Sequence, residues 1–490
     1  MKSLIFLFIV LTLPLGARAS EEGQRVLSLA EAISRARSCS VDAEVAAAEL
    51  RSAYWAFRSY RADLLPELSL SATIPSYRQL YSPYMNDRGE YSFVANDYLQ
   101  MNGELKLTQN IWLTGGSLSV STSLDFMRQL SSERYNRYMS VPVALTLNQP
   151  LFGVNNVRWN RRIEPVRFRE AKAAFMSATE DVAVSAIGYY FALLLARENF
   201  EIARQNLENA QKLHEVAKEK REMGQISRND LMQMELNELE ARSQLTTCES
   251  AVRNASFQLS AFLDLEDAEL EPEIPASLPP VEISFEKAYE KALENNRFAP
   301  SQLRRQLEAD YAVASAKGDM RRINIFAQIG FTGTGSGIGG AYSPLHDNRV
   351  VEVGFEIPLV DWGKRRGKVK VAESNRKLVE SRLRQEAQSF RQDLFVLVER
   401  FANQRGQLEL ALRSDEIASA RYLANVETYM IGRLSTLDLN DSRTTKDEAR
   451  RQYINELYYY WLYYYQLRSL TLWDFATDAP ISTDFAGIIK

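Results

Sequence analysis

Several short segments of the chain alternate apolar and polar residues, which is the pattern of a β-strand with one oily and one wet face. In the segment LSLSATI, which begins at Leu68, every second residue is apolar. This alternation predicts six strands, at about 67–77, 98–112, 116–128, 140–149, 322–333 and 349–358. We expect the first of these strands to pair with the fourth, and the fifth with the sixth.

Between the strands, apolar residues recur every three or four positions, as on one face of an α-helix. Two such stretches, at about 160–222 and 364–429, have no Gly or Pro punctuation strong enough to end a helix, apart from Pro165. Some 60 residues make a rod of roughly 90 Å. A second long helix is predicted after each rod, at about 229–263 and 437–472, beyond tight turns at 223–228 and 431–436.

Three pairs of similar segments indicate that the chain contains one structural unit twice. The pairs are LSLAEAISRAR at 27–37 with ISFEKAYEKAL at 283–293, QPLFG at 149–153 with IPLVD at 357–361, and MGQIS at 223–227 with IGRLS at 431–435. The second and third pairs are 208 residues apart, whereas the first pair is 256 apart. We therefore predict a first repeat at 20–270, a linker at 271–282 and a second repeat at 283–490.

The difference in spacing means that the first repeat holds about 48 extra residues between its first strand and Pro150. We assign to this insertion the alternating segments at 98–112 and 116–128, which flank the tight turn Thr114-Gly115-Gly116. Two alternatives remain open. Either this hairpin joins the other strands, so that each chain has six, or it folds over them as an appendage and leaves four. Its alternation and its turn favour inclusion.

The first residues have the features of a secretory signal peptide at 1–19. These features are the basic Lys2, an apolar run from Leu4 to Leu15, and the small-x-small sequence Ala17-Arg18-Ala19. No Cys follows the apolar run immediately, so we expect no lipid anchor. Beyond the signal we find no apolar stretch of the roughly 18 residues that a membrane-spanning helix needs. The chain would therefore cross a membrane with strands.

Charge and reactive residues argue against several classes of function. A net charge of -4 gives no basic excess for a nucleic-acid partner. The two histidines, His214 and His346, have no Cys or carboxylate at metal-ligand spacing, and the G-x-G-x-x-G at 335–340 precedes a loop rather than a helix. We expect neither an enzyme nor a cofactor. A disulfide between Cys39 and Cys248 is left open by the sequence.

Strands in lipid must pair every backbone group, so they form a closed barrel without a free edge. Four or six strands are too few, since about eight are needed to close a barrel. The chain must therefore share a barrel with copies of itself, most simply with cyclic symmetry. The long helices would continue as a second, α-helical cylinder, which makes the chain a mixed α and β membrane protein.

The duplication, the Q-P-L-F and I-P-L strand ends, and the two G-x-x-S turns followed by Asp resemble the TolC family of outer-membrane ducts. The resemblance covers nearly all of the mature chain. It implies a homotrimer whose shared barrel crosses the outer membrane and continues into a long periplasmic α-helical barrel. It implies passive passage from an inner-membrane pump and a periplasmic adaptor (membrane fusion) protein to the exterior, in tripartite efflux or type I secretion. With the extra hairpin in the wall, a trimer would have eighteen strands rather than the family's twelve.

The resemblance also points to residues that would form a periplasmic gate. Asp438 and Asp441 follow Gly432 by six and nine residues, where the family often has acidic rings that narrow the tunnel. Tyr429 and Asp230 match a family hydrogen bond that holds the inner helix pair against its neighbour in the closed state. The alternative for the aspartates is a solvated acidic helix face.

One gate position departs from the family. Its best-studied members have an Arg two residues after the second turn glycine, where this chain has Leu434, with Arg433 beside it. An inter-protomer salt bridge at this position is therefore in doubt.

The turns themselves match the region that meets the adaptor's helical hairpins in the family. A plain helical-hairpin turn is the alternative interpretation. The residues that the resemblance assigns to adaptor contact are Gly224, Gln225, Ile226, Ser227, Gly432, Leu434 and Ser435.

A different class of function is a structural tether or adhesin, anchored by a shared barrel and spanning the periplasm with coiled coils. Such a stem would have a dry helical core, whereas the lining of a duct must be polar. The polar residues Gln233, Asn237 and Asn440 near the turns favour the duct.

Overall fold

The computed structural model describes residues 25–85, 88–130, 134–265, 270–275, 281–320, 323–355, 360–431 and 433–489. The predicted signal peptide, Gly432, part of the linker and the end of the last predicted strand lie outside the described residues. The elements in chain order are β1 (Arg25–Leu27), α1 (Leu29–Cys39), α2 (Val41–Ala62), β2 (Glu67–Met85), β3 (Tyr91–Asn110), β4 (Ser117–Gln129), β5 (Asn136–Leu151), α3 (Asn156–Glu222), α4 (Arg228–Phe262), β6 (Leu270–Pro272), α5 (Phe285–Asn295), α6 (Phe298–Gly318), β7 (Ile323–Gly335), α7 (Ile338–Ala341), β8 (Leu345–Phe355), α8 (Lys364–Met430), α9 (Thr436–Thr471), β9 (Trp473–Asp474), β10 (Ala479–Pro480) and α10 (Phe485–Ile489).

Four helices dominate the chain. Helices α3 and α8 have 67 residues each, a length of about 100 Å. Helices α4 and α9 have 35 and 36 residues. Each of the four begins and ends within four residues of the bounds that the apolar spacing predicts.

One helix departs from the expectation that no segment after the signal is apolar enough to span a membrane. Within the described residues, α3 is long and apolar enough by length and composition. Half of its apolar window is buried inside the structure, as it would be in a core helix, so α3 alone is weak support for a membrane span.

The chain divides into two compact units, which we call the helical unit and the sheet unit. The helical unit comprises Met1–Val41, Val182–Pro279 and Gln404–Leu462, and the sheet unit comprises Asp42–Asp181, Pro280–Asn403 and Tyr463–Lys490. The core of the helical unit is formed by apolar faces of its long helices, with fully buried Ile187, Leu193, Leu259, Ile454 and Leu457. Burial of such side chains stabilises long helices far more than helix propensity does.

A parallel pair of short strands, β1 and β6, lies in the helical unit. The hydroxyl of the fully buried Tyr190 lies 2.9 Å from the carbonyl oxygen of Leu27 and 2.6 Å from that of Glu273. Burial raises the pKa of Tyr190, so its hydroxyl stays protonated and donates to these carbonyls. One side chain of α3 therefore holds both strand segments.

The sheet unit contains one six-stranded antiparallel sheet with the order β2-β3-β4-β5-β7-β8. Strands β7 and β8 pair, as expected. The expectation that the first strand pairs with the fourth is wrong, because β2 pairs with β3 and β5 pairs with β4 and β7. Strands joined by short connections pair most readily with their chain neighbours, so the intervening strands separate β2 from β5.

The extra residues of the first repeat are also not the strands that we assigned to the insertion. At the repeat spacing of 208 residues, β4 (Ser117–Gln129) corresponds to β7 and β5 corresponds to β8. The pairing agrees, since β4-β5 and β7-β8 are equivalent neighbours in the sheet. The hairpin without a counterpart is therefore β2–β3, at the edge of the sheet.

This hairpin is longer than the alternation predicts. Strand β2 continues past residue 77 to Met85, and β3 begins at Tyr91 rather than near residue 98. The exposed aromatic residues Tyr81 and Phe93 are in register there with Ala95 and Pro83. Prolines and asparagines gave this segment the composition of a loop, and cross-strand pairing overrides that composition.

The sheet carries its apolar residues on one exposed face. One cross-strand row runs Leu68, Leu107, Val120, Leu145, Ile329 and ends at Arg349 in β8. Leu70 and Val351, on the same face, are 76% and 74% exposed. The row on the opposite face runs Ser69, Lys106, Ser121, Ala144, Gly330, Asn348. A large exposed apolar surface on a well-paired sheet indicates contact with lipid or protein.

Two smaller features resolve open points in the sequence. Cys39 and Cys248 are free thiols, the first exposed and the second buried. The G-x-G-x-x-G segment contains the one-turn helix α7, contrary to the expected loop, and the Ser140 hydroxyl donates to the carbonyl of Ala341 at its end. The segment thus packs on the sheet.

We predict that Tyr190→Phe loosens the β1–β6 pair, because the variant loses the donor to two carbonyls. Leaving a buried polar group without its partner costs about 1–3 kcal/mol, so amide exchange at 25–27 and 270–272 should accelerate roughly 5- to 150-fold if it follows local opening. Hydrogen–deuterium exchange with mass spectrometry measures this. Tyr189→Phe is the matched control, since its partly exposed ring lies tilted against Phe262 and its hydroxyl has no hydrogen-bond partner among the described residues. Equal exchange in both variants would contradict the role of Tyr190.

Candidate functional site

The turn between α3 and α4 ends one long helix and starts the next. Gly224 has a φ of +73°, which glycine adopts without strain. Its amide donates to the carbonyl of Arg221, and the amide of Gln225 donates to that of Lys220 at 2.8 Å. These two bonds form a Schellman motif, which satisfies the last carbonyls of α3.

Ser227 and Asp230 then form a capping box at the start of α4. The Asp230 amide donates to Ser227 Oγ at 3.1 Å, and the Asp230 carboxylate accepts from the Ser227 hydroxyl at 2.7 Å and the Ser227 amide at 3.1 Å. These hydrogen bonds from Ser227 lower the pKa of Asp230. The predicted contact residues of this turn therefore have structural tasks of their own, and Gln225 remains exposed while Ile226 is partly buried.

The described residues of the turn between α8 and α9 repeat several of these hydrogen bonds. The amide of Arg433 donates to the carbonyl of Thr428, the bond equivalent to that from Gln225. Ser435 Oγ accepts from the amide of Asp438 at 3.2 Å and donates to its carboxylate at 2.6 Å. Asp438 is thus the counterpart of Asp230, 208 residues later, and its carboxylate is engaged in a helix cap.

The remaining predicted gate residues lie on the helices beside the second turn. Asp441 accepts a hydrogen bond from Arg421 at 2.9 Å, and both side chains are at least half exposed. The ring of Tyr429 lies 5.5 Å from the amino group of Lys220. Among the described residues no hydrogen bond joins Tyr429 to Asp230 within one chain. The exposed Arg433 and the partly buried Leu434 flank the turn.

The sequence did not reveal that large apolar side chains are exposed at both turns. Met223 is 63% exposed in the first turn, and Ile431 and Leu437 are 68% and 79% exposed in the second. Covering this exposed apolar surface would be favourable by about 25 cal/mol for each Å² removed from water. Apolar side chains that are exposed singly are common on protein surfaces, so these three offer contact area without by themselves identifying a binding site. The signal was present as isolated apolar residues in the turn segments, which periodicity does not detect.

A charged network within the helical unit was also missed. Arg450 on α9 binds Glu198 at 2.9 Å and Asp415 at 3.2 Å. Burial alone would lower the pKa of Arg450, but these two carboxylates outweigh it and raise the pKa. Asn206 donates to the buried carboxylate of Asp447 at 2.8 Å. The network was missed because charged residues spaced three and four apart, as on α9, are also the pattern of a solvent-exposed helix face.

The side chains of these turns are suited to binding a partner or attracting ions rather than to holding a metal. Across the described ranges, no group of three or more His, Cys, Asp or Glu side chains is arranged to hold a metal ion. His214 Nδ1 instead shares a hydrogen bond with the Glu238 carboxylate, 2.7 Å away, and this bond lowers the pKa of Glu238. Capped turns, exposed apolar side chains and paired charges suit a surface that binds a protein or borders a passage.

A duplicated arrangement of strand hairpins and long helical hairpins, with an exposed apolar sheet, defines a class of outer-membrane channels. The family model for outer membrane efflux proteins matches residues 114–264 and 288–471, which is more than half of the chain. The chain belongs to the outer membrane efflux protein family. It is therefore a transport channel of the outer membrane rather than an enzyme.

Solved structures share the fold at low sequence identity. The Campylobacter jejuni CmeC outer membrane channel has a TM-score of 0.65 and 17% identity, with 94% of this chain and 88% of that chain covered. The outer membrane protein VceC from Vibrio cholerae has a TM-score of 0.62 and 14% identity, with 93% and 97% covered. The open state of the Neisseria gonorrhoeae MtrE channel has a TM-score of 0.61 and 13% identity, with 93% and 91% covered. No curated protein sequence matches the chain significantly.

We predict that the capping box of the first turn depends on pH through Asp230. Because its pKa is lowered in the folded chain, its contribution is complete above the ordinary Asp value of about 3.9 and is lost as the pH falls through the lowered value. Asp230→Asn should speed amide exchange at 227–231 at neutral pH, and the ratio to the unchanged protein should approach one in acid.

The control for this measurement is Glu235→Gln, an exposed carboxylate farther along α4 with no hydrogen bond among the described residues. It should leave the exchange ratio near one at every pH. A ratio for Asp230→Asn that does not change with pH would show that the carboxylate does not hold the cap.

Proposed function

We propose that three copies of the chain form a passive duct that joins an inner-membrane pump and a periplasmic adaptor to the exterior. The sheets of the three copies close one β-barrel in the outer membrane, and the long helices form a tunnel in the periplasm. The duct serves tripartite efflux or type I secretion. Family membership supports the channel, and the apolar face and the two open edges of the sheet support the assembly.

The observation that carries the proposal is the apolar row that crosses the sheet from Leu68 to Ile329. Apolar side chains in such numbers are stable when they face lipid. A sheet in lipid cannot leave backbone groups unpaired, yet among the described strands β2 and β8 each have a neighbour on one side only. Other copies of the chain satisfy both requirements, because they supply the missing strands and close the ring.

The exposed apolar side chains of the two turns support adaptor binding. Met223, Ile431 and Leu437 lie near serine caps that hold the start of the following helix. A rigid turn with apolar side chains can dock on a partner with little loss of conformational entropy. The partner would present apolar residues of its own at the tip of a helical hairpin.

The gate proposal rests on Asp441. In a threefold assembly its three carboxylates would stand around the axis, each offset by the Arg421 of its own chain. Asp438 carries charge as well, but its carboxylate also caps α9 through Ser435. A ring of carboxylates at a narrow passage favours cations, and Arg421 sets how much of this charge is available.

We predict that the purified protein is a trimer and conducts ions in a planar lipid bilayer. Native mass spectrometry in detergent gives the copy number, and the current at fixed voltage gives the conductance. The physical reason is that a closed ring of sheets leaves a polar interior open to water. An intact monomer in detergent, or a trimer that passes no current under any condition, would contradict the proposal and favour a structural tether.

We predict opposite effects of two substitutions at the proposed gate. Asp441→Asn should lower the cation-to-anion permeability ratio and Arg421→Gln should raise it, each by roughly fivefold, since a unit charge at 4 Å in water is worth about 1 kcal/mol. The reversal potential in a salt gradient measures the ratio.

The matched control is Glu409→Gln, which removes one carboxylate from the exposed pair of Glu409 with Arg405 on α8. This variant should leave the reversal potential unchanged. Equal shifts in all three variants, or none in the first two, would remove Asp441 from the gate.

A further inference from the structure

The β2–β3 hairpin has no equivalent in the second repeat, so its place in the assembly is not fixed by the duplication. The four strands β4, β5, β7 and β8 make two equivalent hairpins side by side. A threefold ring built from these four alone would place β8 of one copy against β4 of the next. The hairpin would then have to lie outside the wall.

The pairing of β4 rules out that arrangement. Strand β4 is hydrogen-bonded to β3 from the pair Ser117 with Asn110 to the pair Gln129 with Tyr98. On its other side it is hydrogen-bonded to β5 from the pair Ser117 with Asn148 to the pair Arg128 with Asn136. Both of its edges are therefore occupied, apart from a register shift between Ser121 and Ser123 on the β5 side. Breaking the β3–β4 ladder would expose a full row of amides and carbonyls, and in lipid each unpaired group costs several kcal/mol.

The side chains of the hairpin agree with a position in the wall. Leu68 and Leu107 continue the apolar row of Val120, Leu145 and Ile329 without a change of face. On the other face, Ser69 and Lys106 continue the polar row. In an appendage that folded over the barrel, the apolar and polar faces of the hairpin would not need to continue those of the wall.

The prolines of β2 indicate that this strand ends the sheet of one copy. Proline is tolerated in sheets at edge strands and bulges, because it cannot donate to a ladder. Pro75 lies at the register shift between Thr73 and Ser76, and Pro83 lies near the outer end of β2. The described part of β8 has 11 residues and β2 has 19, so the described part of a neighbouring β8 would leave some of β2 uncovered. Pro83 then protects the part that remains uncovered.

We infer that the β2–β3 hairpin is part of the barrel wall and that β2 of one copy pairs antiparallel with β8 of the next copy. This inference rests on the threefold assembly proposed above. Six strands from each of three copies give eighteen. At about 4.8 Å between strands and a tilt of about 40°, eighteen strands enclose a backbone diameter of roughly 36 Å, against roughly 24 Å for twelve. The outer segment of the duct is thus wide enough for cargo that a twelve-stranded barrel would exclude.

Electron cryomicroscopy of the full chain in lipid nanodiscs tests this inference directly. The expected result is a threefold particle with eighteen strands in the membrane and a barrel about 36 Å across. A threefold particle with twelve wall strands, and the β2–β3 hairpin outside them, would overturn the inference and leave the proposed duct intact. A particle without threefold symmetry would instead overturn the proposed assembly.

Disulfide cross-linking in the cell envelope provides a second test. In a chain with Cys39→Ser and Cys248→Ala, one cysteine is placed on the lipid-facing side of β8, as Val351→Cys or Val353→Cys. The second cysteine is placed on β2. The three positions to combine with each are Leu68→Cys, Leu70→Cys and Ile74→Cys.

At least one of these pairs should give covalently linked copies on a denaturing gel after mild oxidation. The matched control combines Val351→Cys with Leu118→Cys on β4, which faces the same side and is also exposed. It should give no linked copies. Linked copies in the control, together with none in any β2 pair, would place β8 against β4 and contradict the inference.

Discussion

The constraint on which this structure depends is the unsatisfied backbone at the two edges of its sheet. Strands β2 and β8 each leave one row of amides and carbonyls without a described partner, while the exposed apolar face between them is suited to lipid. Water could satisfy those groups, but lipid cannot. A single copy would therefore be incomplete in lipid, and in the proposed assembly identical copies would supply the missing strands at both edges. A sheet with two complementary edges and cyclic symmetry closes without leaving any edge behind.

The two helical hairpins must satisfy the backbone groups at their helix ends, and both use the same type of turn to do so. Each pair of long helices has eight end groups near its turn that need partners. In both repeats the segment G-x-x-S-x-x-D satisfies some of these groups: the residue after the glycine donates its amide to the preceding helix, and the Ser hydroxyl accepts from the Asp amide. The turns are thereby made rigid without burying apolar side chains. That leaves Met223, Ile431 and Leu437 exposed and available for another surface.

Much of the fold follows from patterns that act over many residues. The bounds of the long helices were predictable to within four residues, because 67 residues of apolar spacing average out local ambiguity. The caps were predictable because Gly after a helix, as at Gly224, and Ser before one, as at Ser227 and Ser435, are the residues that helix ends prefer. The sequence failed where the answer depends on distant partners. Strand alternation does not say which strand is the neighbour of β2, and charge spacing along α9 does not show that Arg450 is enclosed by Glu198 and Asp415.

The two aspartates of the second turn show why a motif and a function must be separated. Asp438 has a counterpart in Asp230, and each accepts from the serine three residues earlier. A helix cap alone accounts for both, whether or not anything passes through the molecule. Asp441 has no such counterpart, since the equivalent position in the first repeat is Gln233, and its partner Arg421 corresponds to Leu213. A charged pair that one repeat has and the other lacks is not required by the shared fold. The departure from internal symmetry therefore makes Asp441 a stronger indication of a selective passage than the aspartate that completes the motif.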